Sequence, residues 1–549
     1  MSKKIIIVGG VAGGASTAAR LRRLHEQAEI ILVERGEHIS FANCGLPYYV
    51  GGVIPERSHL LVQTVEGMES RFNLDIRIRT EVQSIDPEKK EITARNLETG
   101  VTYTESYDYL VLSPGANPVA PPIPGLKEAK NVFTVRTIPD TDAINGFIET
   151  KAPKRAVVVG GGFIGLEMAE NLQHRGLEVS VVEMLPQVMA PIDFEMACLV
   201  HEHLRSKGVN LILSDGVKAF HGEGQDIQLQ SGQRLASDLT ILAIGVRPEV
   251  QLAKSAGLEL GTTGGIKVDQ TMLTSDPFIY AIGDAVEVQC PISGAQTLVP
   301  LAGPANKQGR LVADNIAGKK RTYRGTMGTA IAQVFDLTVA SVGNNEKTLR
   351  QRGIDYEVVH IHGESHVEYY PGAEAMALKL TFDPKTGRIY GAQGVGGAGV
   401  DKRIDVLATA IYADLTVEDL QELELAYAPP YGAAKDPVNL LGFAATNLME
   451  GLSNHYQWSD VQELCDLGAF FVDVRPCTAK PTELIPNAVH IPLEELRTRL
   501  DELPKDKTIH LFCAIGLRGY VAERILKQEG YTARNLDGGL TTLSGAQHT

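Results

Sequence analysis

Near the N-terminus, apolar residues form short continuous runs that end in glycine-rich turns. The segment "KKIIIVGG" (residues 3–10) has four apolar residues in a row, and "AEIILVERG" (residues 28–36) repeats the plan after a helical stretch. An unbroken apolar run predicts a strand buried on both faces, as in a parallel sheet. This part of the chain is therefore predicted to fold as strand, turn, helix and strand.

The same pattern returns at Arg155–Met184, "RAVVVGGGFIGLEMAENLQHRGLEVSVVEM". Two βαβ units in one chain predict two dinucleotide sites. Between them, "YDYLVLSPGANPVAPPIPGL" is a predicted strand that runs into a Pro/Gly-rich connection, which is typical of a domain crossing.

Later segments change period. From about Gly325, apolar and polar residues alternate in "TAIAQVFDLTVASVG" and "AMALKLTFDPKTGRIYGAQGVGG", as in antiparallel strands. A helical pattern follows through "EDLQELELAY". These segments predict an interface-like third domain. The chain then restarts at "GAFFVDVRP" and ends in short strand–helix pairs, enough for one small α/β domain.

Composition narrows the function classes. The 549 residues carry a net charge of −15, with 44% hydrophobic and 22% charged residues, which is typical of a globular protein with several domains and argues against a general nucleic-acid binder. The first residues do not have the pattern of a signal peptide, and no apolar run is long enough for a membrane span. Six scattered cysteines favour a reducing cytoplasm over a disulfide framework.

The second glycine turn has the full G-x-G-x-x-G spacing, at Gly160, Gly162 and Gly165. Glycines allow the tight bend and close backbone approach, and the helix N-terminus then faces a pyrophosphate. Glu183 ends the next strand, where a carboxylate accepts from both ribose hydroxyls and repels a 2′-phosphate. This pattern favours NADH over NADPH.

The first turn is irregular. Gly9, Gly13 and Gly14 are present, but Val11 holds the place of the second motif glycine, and Glu34 ends the following strand. Further along, "YAIGDA" ends a strand at Gly283 and Asp284. By itself, Asp284 is predicted either to bind a polyol chain or to cap a helix.

Taken in this order, the elements resemble the pyridine-nucleotide disulfide oxidoreductases over roughly residues 1–445, including the domain-crossing segments "LSPGA" and "AIGVRP". The resemblance implies FAD in the first site and a nicotinamide in the second that passes hydride to it. It implies an α/β fold with two Rossmann-like dinucleotide-binding domains and an α+β dimerisation domain. The expected boundaries are 1–150 with 256–325 for FAD binding, 151–255 for NAD binding, 326–445 for dimerisation, 446–460 for a linker, and 461–549 for a last domain.

The resemblance also implies cofactor contacts. For FAD these are Gly9, Ala12, Gly13, Glu34, Arg35, Asn43, Val82, Ser113, Gly115, Gly283, Asp284, Leu301 and Ala302. For the nicotinamide cofactor they are Gly160, Gly162, Phe163, Ile164, Gly165, Glu183 and Gly245.

Cys44, in "SFANCGLPYYVGG", falls where this family keeps its redox sulfur, and no second cysteine follows nearby. That absence excludes an internal C-x₄-C disulfide and leaves the single-cysteine enzymes: NADH oxidases, NADH peroxidases and coenzyme A-disulfide reductases. The segment "SFANCGLPYY" most resembles the coenzyme A-disulfide reductases, in which the cysteine forms a mixed disulfide with coenzyme A. A catalytic thiolate needs a helix N-terminus, a cation or a polarisable partner such as a flavin.

The same resemblance implies substrate contacts at Arg20, Arg23, Ser40, Asn43, Asn306 and Lys435. Asn306 stands where the family often has histidine, which leaves the details of substrate contact open. Tyr427, supplied across a homodimer, is expected to approach the flavin and sulfur, assisted by Tyr369 or Tyr370. Packing at a dimer seam is the alternative role for these tyrosines.

Three histidines in "HIHGESH", at His360, His362 and His366, have a spacing that can bind zinc on one face of a strand. No cysteine or obvious fourth ligand accompanies them. A solvated strand end is the favoured interpretation, and no metal site is expected.

Near the C-terminus, "HLFCAIGLRGYVAERIL" places Cys513 after a strand, Gly516 in a short loop and Arg518 at the start of a helix. Backbone N–H groups and the helix dipole there favour an anion such as a thiolate or persulfide. Residues 461–549 resemble rhodanese domains, although "PCTAKPTELIPNAVHIP" departs from the usual pattern. Cys477 reads as incidental, and an interaction-only rhodanese fold is the alternative.

Together these patterns predict a cytoplasmic, homodimeric FAD-dependent NADH reductase. The expected substrates are coenzyme A persulfide, polysulfide or coenzyme A disulfide, cleaved through Cys44 while Cys513 carries sulfane sulfur. The alternatives are an NADH oxidase or peroxidase using a Cys44 sulfenate, a coenzyme A-disulfide reductase with an accessory rhodanese domain, and a redox sensor. Neither a nucleic acid nor a membrane is an expected partner.

Overall fold

A computed structural model describes residues 3–480 and 482–547. The chain divides into two compact units: Met1–Pro186 with Val209–Gly328, and Gln187–Gly208 with Thr329–Thr549. No disulfide joins any of the six cysteines, all of which lie in the described residues. Within those residues, no helix combines the length and apolar character needed to cross a bilayer.

The first sheet of the first unit is five-stranded and parallel, in the order Ile279–Ala281, Tyr109–Leu112, Lys4–Val8, Glu29–Val33, Asp75–Arg77. Its central strand is fully buried at Ile5, Ile6 and Ile7, which confirms the prediction from the apolar run. Helix Ala12–Leu24 follows the first strand and packs against helix Ala302–Ile316. The packing is close enough that a Cβ at Gly309 would lie 2.4 Å from the carbonyl oxygen of Gly13.

The second sheet of this unit repeats the plan, in the order Asn210–Ile212, Glu178–Val182, Arg155–Val159, Leu239–Leu242, Val132–Phe133, with all pairs parallel. Helix Phe163–His174 connects the neighbouring strands Arg155–Val159 and Glu178–Val182 of this sheet. The two predicted βαβ units are therefore confirmed.

Smaller elements complete the first unit. Its remaining helices are Leu46–Val50, Val65–Phe72, Ile138–Lys151 and Gln251–Ser255, with 3₁₀ turns at Asn43–Gly45, Arg57–Leu60, Gly222–Gly224 and Gly283–Ala285. Its remaining strands are Thr80–Asp86, Glu91–Asn96, Thr102–Ser106, Ala116–Pro118, Val217–His221, Asp226–Leu229, Arg234–Ala236, Val246–Pro248, Ile266–Lys267, Val286–Gln289 and Gln296–Thr297.

The second unit contains a five-stranded antiparallel sheet in the order Ala330–Val334, Leu337–Gly343, Ile389–Gly396, Ala375–Phe382, Glu357–Glu364. The alternating segments that predicted antiparallel strands form four of these five. The helices that accompany the sheet are Phe194–Ser206, Glu346–Gln351, Val400–Tyr412, Val417–Glu422 and Pro437–Met449.

The C-terminal part of the second unit has a parallel sheet in the order His455–Tyr456, Ala533–Leu536, Ile509–Phe512, Phe470–Asp473, Val489–His490. Its helices are Val461–Asp466, Leu493–Leu496, Leu517–Gln528 and Gly539–Gln547, with 3₁₀ turns at Trp458–Asp460 and Leu500–Glu502. This is the small α/β domain expected from the restarted pattern.

The contact between the two helices of the first unit gives a stability test. In Gly309→Ala the new methyl group would meet a backbone carbonyl of Gly13, which no side-chain rotation can relieve. The free energy of unfolding, measured by urea titration, is expected to fall by about 1–3 kcal/mol.

Gly303→Ala is the matched control, because it lies in the same helix and a Cβ there would have no atom within 4 Å. Its unfolding free energy should stay the same or rise slightly through improved helix propensity. Equal stabilities for the two variants would contradict the close approach of the helices.

Candidate active site

The first glycine turn is held by backbone contacts that exclude side chains. Gly9 has φ +100°, and a Cβ there would lie 2.0 Å from the carbonyl oxygen of Ser113. A Cβ at Gly14, in the first turn of the helix, would lie 1.8 Å from the carbonyl oxygen of Gly9. Only glycine allows the strand, the turn and the helix to approach this closely.

A carboxylate closes the turn. The Glu34 Oε2 atom accepts from the Gly10 N–H at 2.8 Å, while its Oε1 accepts from the Gly36 N–H at 2.7 Å. The side chain is thus fixed beside the carboxyl ends of the strands, where a ribose of a bound dinucleotide would lie.

The second turn has equivalent geometry. Gly160 has φ +109°, and a Cβ at Gly165 would lie 1.9 Å from the carbonyl oxygen of Gly160. Glu183 accepts from the Gly161 and Leu185 N–H groups at 2.7 and 2.8 Å. A Cβ at Gly162 or at Gly245 would have no atom within 4 Å, which leaves open space at this turn for a ligand.

Asp284 lies inside the 3₁₀ turn Gly283–Ala285, directly after strand Ile279–Ala281, and not at a helix cap. Gly283 has φ +79° and donates its N–H to Gln308 Oε1 at 2.7 Å. Burial raises the pKa of the Asp284 carboxyl, and the positive charge of Arg136 partly opposes this. A partly buried acceptor next to a glycine turn suits the hydroxyl groups of a polyol chain.

The first site fits FAD, since it combines a glycine cradle, a fixed carboxylate and a partly buried carboxyl group. Ser113 Oγ would lie 3.0 Å from a Cβ at Gly13 and 3.8 Å from one at Gly283. These three expected FAD contacts are therefore neighbours. Other expected contacts are arranged around them: Ala12 begins the first helix, Leu301 and Ala302 begin Ala302–Ile316, and Gly115 has φ +73° with open space beside it.

Three expected cofactor contacts show a different environment. Arg35 is exposed and pairs with Glu81 at 3.7 Å, and Asn43 is exposed beside Cys44. The Val82 side chain is buried in the core of the first unit, which leaves only its backbone for a ligand. Phe163 and Ile164 open helix Phe163–His174, with Ile164 on the surface.

Cys44 lies in the 3₁₀ turn Asn43–Gly45, which leads into the five-residue helix Leu46–Val50. Solvent reaches the residue, yet the protein packed around the sulfur disfavours a charge there and raises the pKa of the thiol. The negative charges of Glu167 and Asp284 raise it further. The chain by itself therefore disfavours the Cys44 thiolate, and a bound polarisable group would favour it.

Glu167 was not among the residues singled out from the sequence. Burial raises the pKa of this carboxyl to about 7. The Tyr48 hydroxyl donates to Glu167 Oε1 at 3.5 Å, while burial and this carboxylate raise the pKa of Tyr48 to about 12. The only sequence signal is an acidic residue in the helix after the second glycine turn.

A basic cleft of about 330 Å³ brings together four of the expected substrate contacts: Arg20, Arg23, Ser40 and Asn306. Its further polar lining was not expected from the sequence and consists of Ser16, Gln63, Arg71 and Arg310. Arg20 Nη2 pairs with Asp314 at 2.8 Å, and Asn306 is hydrogen-bonded by the Ser16 hydroxyl. Four arginines around one cleft suit an anionic ligand such as a phosphate.

The remaining expected contacts belong to the second unit. The Tyr369 and Tyr427 hydroxyls are 2.9 Å apart, and both side chains are exposed. Tyr370 is also exposed and packs edge-on against His366. Lys435 is exposed and directly precedes Asp436, a buried residue that pairs with Arg403 at 2.8 Å.

Cys513 follows strand Ile509–Phe512, and its sulfur accepts the Gly516 N–H at 3.2 Å. Gly516 has φ +93° and precedes helix Leu517–Gln528, so the loop ends in the left-handed conformation that favours glycine. Cys513 is only 1% exposed, while Arg518 and Cys477 are exposed. The loop turns a backbone N–H toward the sulfur.

The histidine segment corrects the sequence interpretation. His360 is buried, not solvated, and its ring nitrogens contact Asp537 and Glu195. His362 Nε2 is 2.8 Å from the Thr542 hydroxyl. Burial by the chain's last segments, distant in sequence, explains why the local pattern gave the wrong answer.

Comparisons with known proteins cover the whole architecture. Residues 3–309 match the pyridine nucleotide-disulphide oxidoreductase family, 329–436 match its dimerisation domain, and 457–546 match the rhodanese-like domain. Coenzyme A disulfide reductase of Staphylococcus epidermidis is 36% identical over 444 residues, which is 80% of this chain and 99% of that protein.

Two solved structures are similar over nearly the full length. Reduced CoADR-RHD of Bacillus anthracis is 55% identical with a TM-score of 0.98, covering 100% of this chain and 99% of that one. An NAD-dependent persulfide reductase from A. fulgidus is 40% identical with a TM-score of 0.92, covering 98% and 99%. A water-forming NADH oxidase from Lactobacillus brevis is 28% identical with a TM-score of 0.78, covering 82% and 100%.

The environment of Cys44 gives a test in the cofactor-free protein. Glu167→Gln removes a negative charge that raises the thiol pKa. Alkylation of Cys44 by iodoacetamide at pH 8.5, where the Glu167 carboxyl with its pKa of about 7 is ionised, is expected to become roughly two- to fivefold faster, as followed by mass spectrometry.

Glu149→Gln is the control, since it removes an exposed charge from the end of helix Ile138–Lys151. It should leave the alkylation rate unchanged. Identical rates for both variants and the parent would show that Glu167 does not act on the sulfur.

Proposed function

Because the chain belongs to the pyridine nucleotide-disulphide oxidoreductase family, we propose that it is an FAD-dependent NADH oxidoreductase that cleaves S–S bonds. Its substrates are coenzyme A persulfide, polysulfide or coenzyme A disulfide. Cys44 attacks the S–S bond, and Cys513 carries sulfane sulfur.

One observation carries this proposal: two sulfur centres of different kinds occur on one chain. Cys44 lies in the disulphide oxidoreductase part and Cys513 in the rhodanese-like part. Two relatives that match this chain over nearly their full length, and so share both parts, are the CoADR-RHD protein and the persulfide reductase. A chemistry in which sulfur is transferred and then reduced explains why both parts are retained.

When bound, FAD would take a hydride from NADH and supply an electron pair to the sulfur. The expected FAD contacts of the first glycine turn, together with Ser113 and Asp284, would hold it. Glu183 supports NADH over NADPH, because a fixed carboxylate accepts from ribose hydroxyls and repels a 2′-phosphate.

The proposed reaction at Cys44 has two steps, attack on the substrate's S–S bond and reduction of the intermediate. With coenzyme A persulfide, the thiolate attacks the outer sulfur, Cys44–S–SH forms and the coenzyme A thiolate leaves. Two electrons then cleave the new S–S bond to the Cys44 thiolate and hydrosulfide. With coenzyme A disulfide, the intermediate is a mixed disulfide, and the same two electrons release a second coenzyme A thiolate.

The basic cleft supports coenzyme A as the carrier. Its arginines would hold the phosphates of the nucleotide end, with Ser40 only a few residues before Cys44 in the chain. Asn43 and Lys435 are the further contacts we propose toward the pantetheine arm.

Tyr369 and Tyr427 are proposed to act across a homodimer. Their paired hydroxyls form a donor–acceptor unit that can protonate a departing thiolate. The dimerisation-domain match supports this assembly.

At Cys513, the thiolate would attack the outer sulfur of a persulfide, so that Cys513–S–SH forms, the S–S bond of the donor breaks and the donor's thiolate leaves. The Gly516 N–H and the start of helix Leu517–Gln528 favour the anionic forms, and Arg518 lies at the same helix end. A coenzyme A thiolate can then collect the sulfane sulfur and present it to Cys44.

Removing the attacking sulfur tests the main step. Cys44→Ser is expected to lower NADH oxidation with coenzyme A persulfide by at least about a hundredfold, because no thiolate is left to open the S–S bond. Stopped-flow absorbance of NADH measures this. Cys477→Ser, another exposed cysteine, is the control and should retain the parent rate; unchanged turnover in Cys44→Ser would overturn the proposal.

The choice of nicotinamide is tested at Glu183. Glu183→Gln removes the charge that disfavours a 2′-phosphate, so the ratio of kcat/KM for NADPH to that for NADH should rise roughly tenfold. Glu178→Gln, an exposed residue at the start of the same strand, should leave the ratio unchanged. An equal ratio in both variants would remove Glu183 from cofactor selection.

An NADH oxidase is the second candidate, favoured by the likeness to the water-forming enzyme. In that case Cys44 would cycle through a sulfenate. Oxygen uptake as fast as turnover with sulfur substrates would favour it. If Cys513→Ser keeps the parent's rate with every sulfur donor, the rhodanese domain is accessory. If the parent shows negligible NADH turnover with every sulfur acceptor, the protein is a redox sensor.

A further inference from the structure

A buried ion-pair network joins the antiparallel sheet of the second unit to its C-terminal sheet. The His360 N–H donates to Asp537 Oδ1 at 3.1 Å, and the ring Nδ1 is 2.6 Å from Asp537 Oδ2. On the other side of the ring, Nε2 is 3.2 Å from Glu195 Oε1. The three residues are 5%, 3% and 3% exposed, so the contacts are shielded from water.

More charges face this histidine from each neighbouring element. Lys379, its partner on the adjacent strand, is fully buried and pairs with Asp193 at 3.0 Å, with Glu346 and with Glu195. Its ammonium thus lies among three carboxylates that are close enough together to hold a cation. His455 Nδ1 is 3.6 Å from Asp537, and His362 lies two residues along the strand.

The network favours a charged imidazolium. Burial opposes the charge on His360, but the carboxylate of Asp537 and the hydrogen bonds to Asp537 and Glu195 outweigh burial and raise the pKa of His360 to about 9. An imidazolium donates from both nitrogens, which matches two carboxylate acceptors on opposite sides.

Asp537 belongs to the segment that supports the Cys513 loop. Shortly after it, the Leu540 and Thr541 N–H groups donate to the carbonyl oxygens of Cys513 and Ala514, both at 2.9 Å. Gly539 has φ +61°, and a Cβ there would lie 2.6 Å from each of those two oxygens. The Asn535 amide donates to the carbonyl oxygen of Gly516 at 3.1 Å.

We propose that His360 is a positioning residue for Cys513. By bridging Asp537 and Glu195, its imidazolium fixes residues 535–541, and these residues hold the backbone of the cysteine loop. Sulfur transfer at Cys513 therefore depends on a residue of the dimerisation domain. This inference rests on the proposed function, because it takes Cys513 to be a sulfur carrier.

The expected pH dependence follows from the direction of the shift. A histidine whose pKa is raised by folding contributes its full stabilisation below its unfolded pKa, about 6.5, and loses it as the pH rises through the folded value. Since the folded pKa is about 9, the support of the loop should weaken from neutral pH toward pH 9 and disappear above it.

Two substitutions of the full-length holoenzyme separate positioning from folding. His360→Leu removes both hydrogen bonds of the ring and leaves two buried carboxylates without this partner. His360→Asn keeps a neutral donor toward Asp537 but has no titrating group. His221→Leu is the control, because it replaces an exposed histidine at the end of strand Val217–His221.

Two readouts are compared with NADH turnover through Cys44. The first is thiocyanate formed from coenzyme A persulfide and cyanide, with the rate of Cys513→Ser subtracted. The second is hydrogen exchange at the Leu540 and Thr541 amides, which reports the loop contacts whether or not Cys513 transfers sulfur. His360→Leu should lower thiocyanate formation at least about tenfold and speed the exchange by a similar factor, with NADH turnover within about twofold of the parent.

In His360→Asn, transfer at pH 7 should stay within about threefold of the parent, and the loss of transfer toward pH 9.5 should disappear. The inference is overturned if exchange in His360→Leu matches the parent, or if His360→Asn keeps the same pH profile. Should His360→Leu fail to fold, the asparagine variant decides alone. If the parent forms no Cys513-dependent thiocyanate, the proposed role of Cys513 fails, while the exchange measurement still decides the positioning.

Discussion

The close backbone approach at the ends of the parallel strands is the constraint on which the first unit depends. At Gly9 and Gly160 the chain turns in a left-handed conformation against a neighbouring carbonyl, and Gly14 and Gly165 bring the following helices onto those turns. Side chains are excluded there, so backbone N–H groups line the space at the strand ends. The carboxylates of Glu34 and Glu183 then fix the outer edge of each turn. Both dinucleotide sites follow from this one geometry.

The charged and polar groups around the sulfur atom differ between Cys44 and Cys513. Packing and two carboxylates disfavour the Cys44 thiolate, so in the proposed mechanism bound FAD would stabilise it. At Cys513 the protein supplies a backbone N–H itself. This difference in surroundings suits the roles we propose, reduction at Cys44 and sulfur carriage at Cys513.

The sequence was sufficient wherever the signal was local. Unbroken apolar runs predicted the buried parallel strands, alternation predicted the antiparallel sheet, and the glycine spacing located both turns. It failed where burial comes from residues distant along the chain. His360 reads as solvated because its partner Asp537 lies far downstream. Glu167 has a raised pKa only because the fold buries it, and Arg310 joins the basic cleft only because two helices pack together.

Following the outer sulfur atom through the protein shows whether both cysteines carry it before it is reduced. Coenzyme A persulfide with an isotope-labelled outer sulfur would be mixed with the holoenzyme without NADH, and the labelled cysteines identified by mass spectrometry. We expect label on both Cys44 and Cys513, and release as hydrosulfide with one NADH consumed per sulfur once NADH is added. Absence of label from Cys44, or NADH consumption that tracks oxygen and not hydrosulfide, would overturn the proposed transfer and reduction of sulfur.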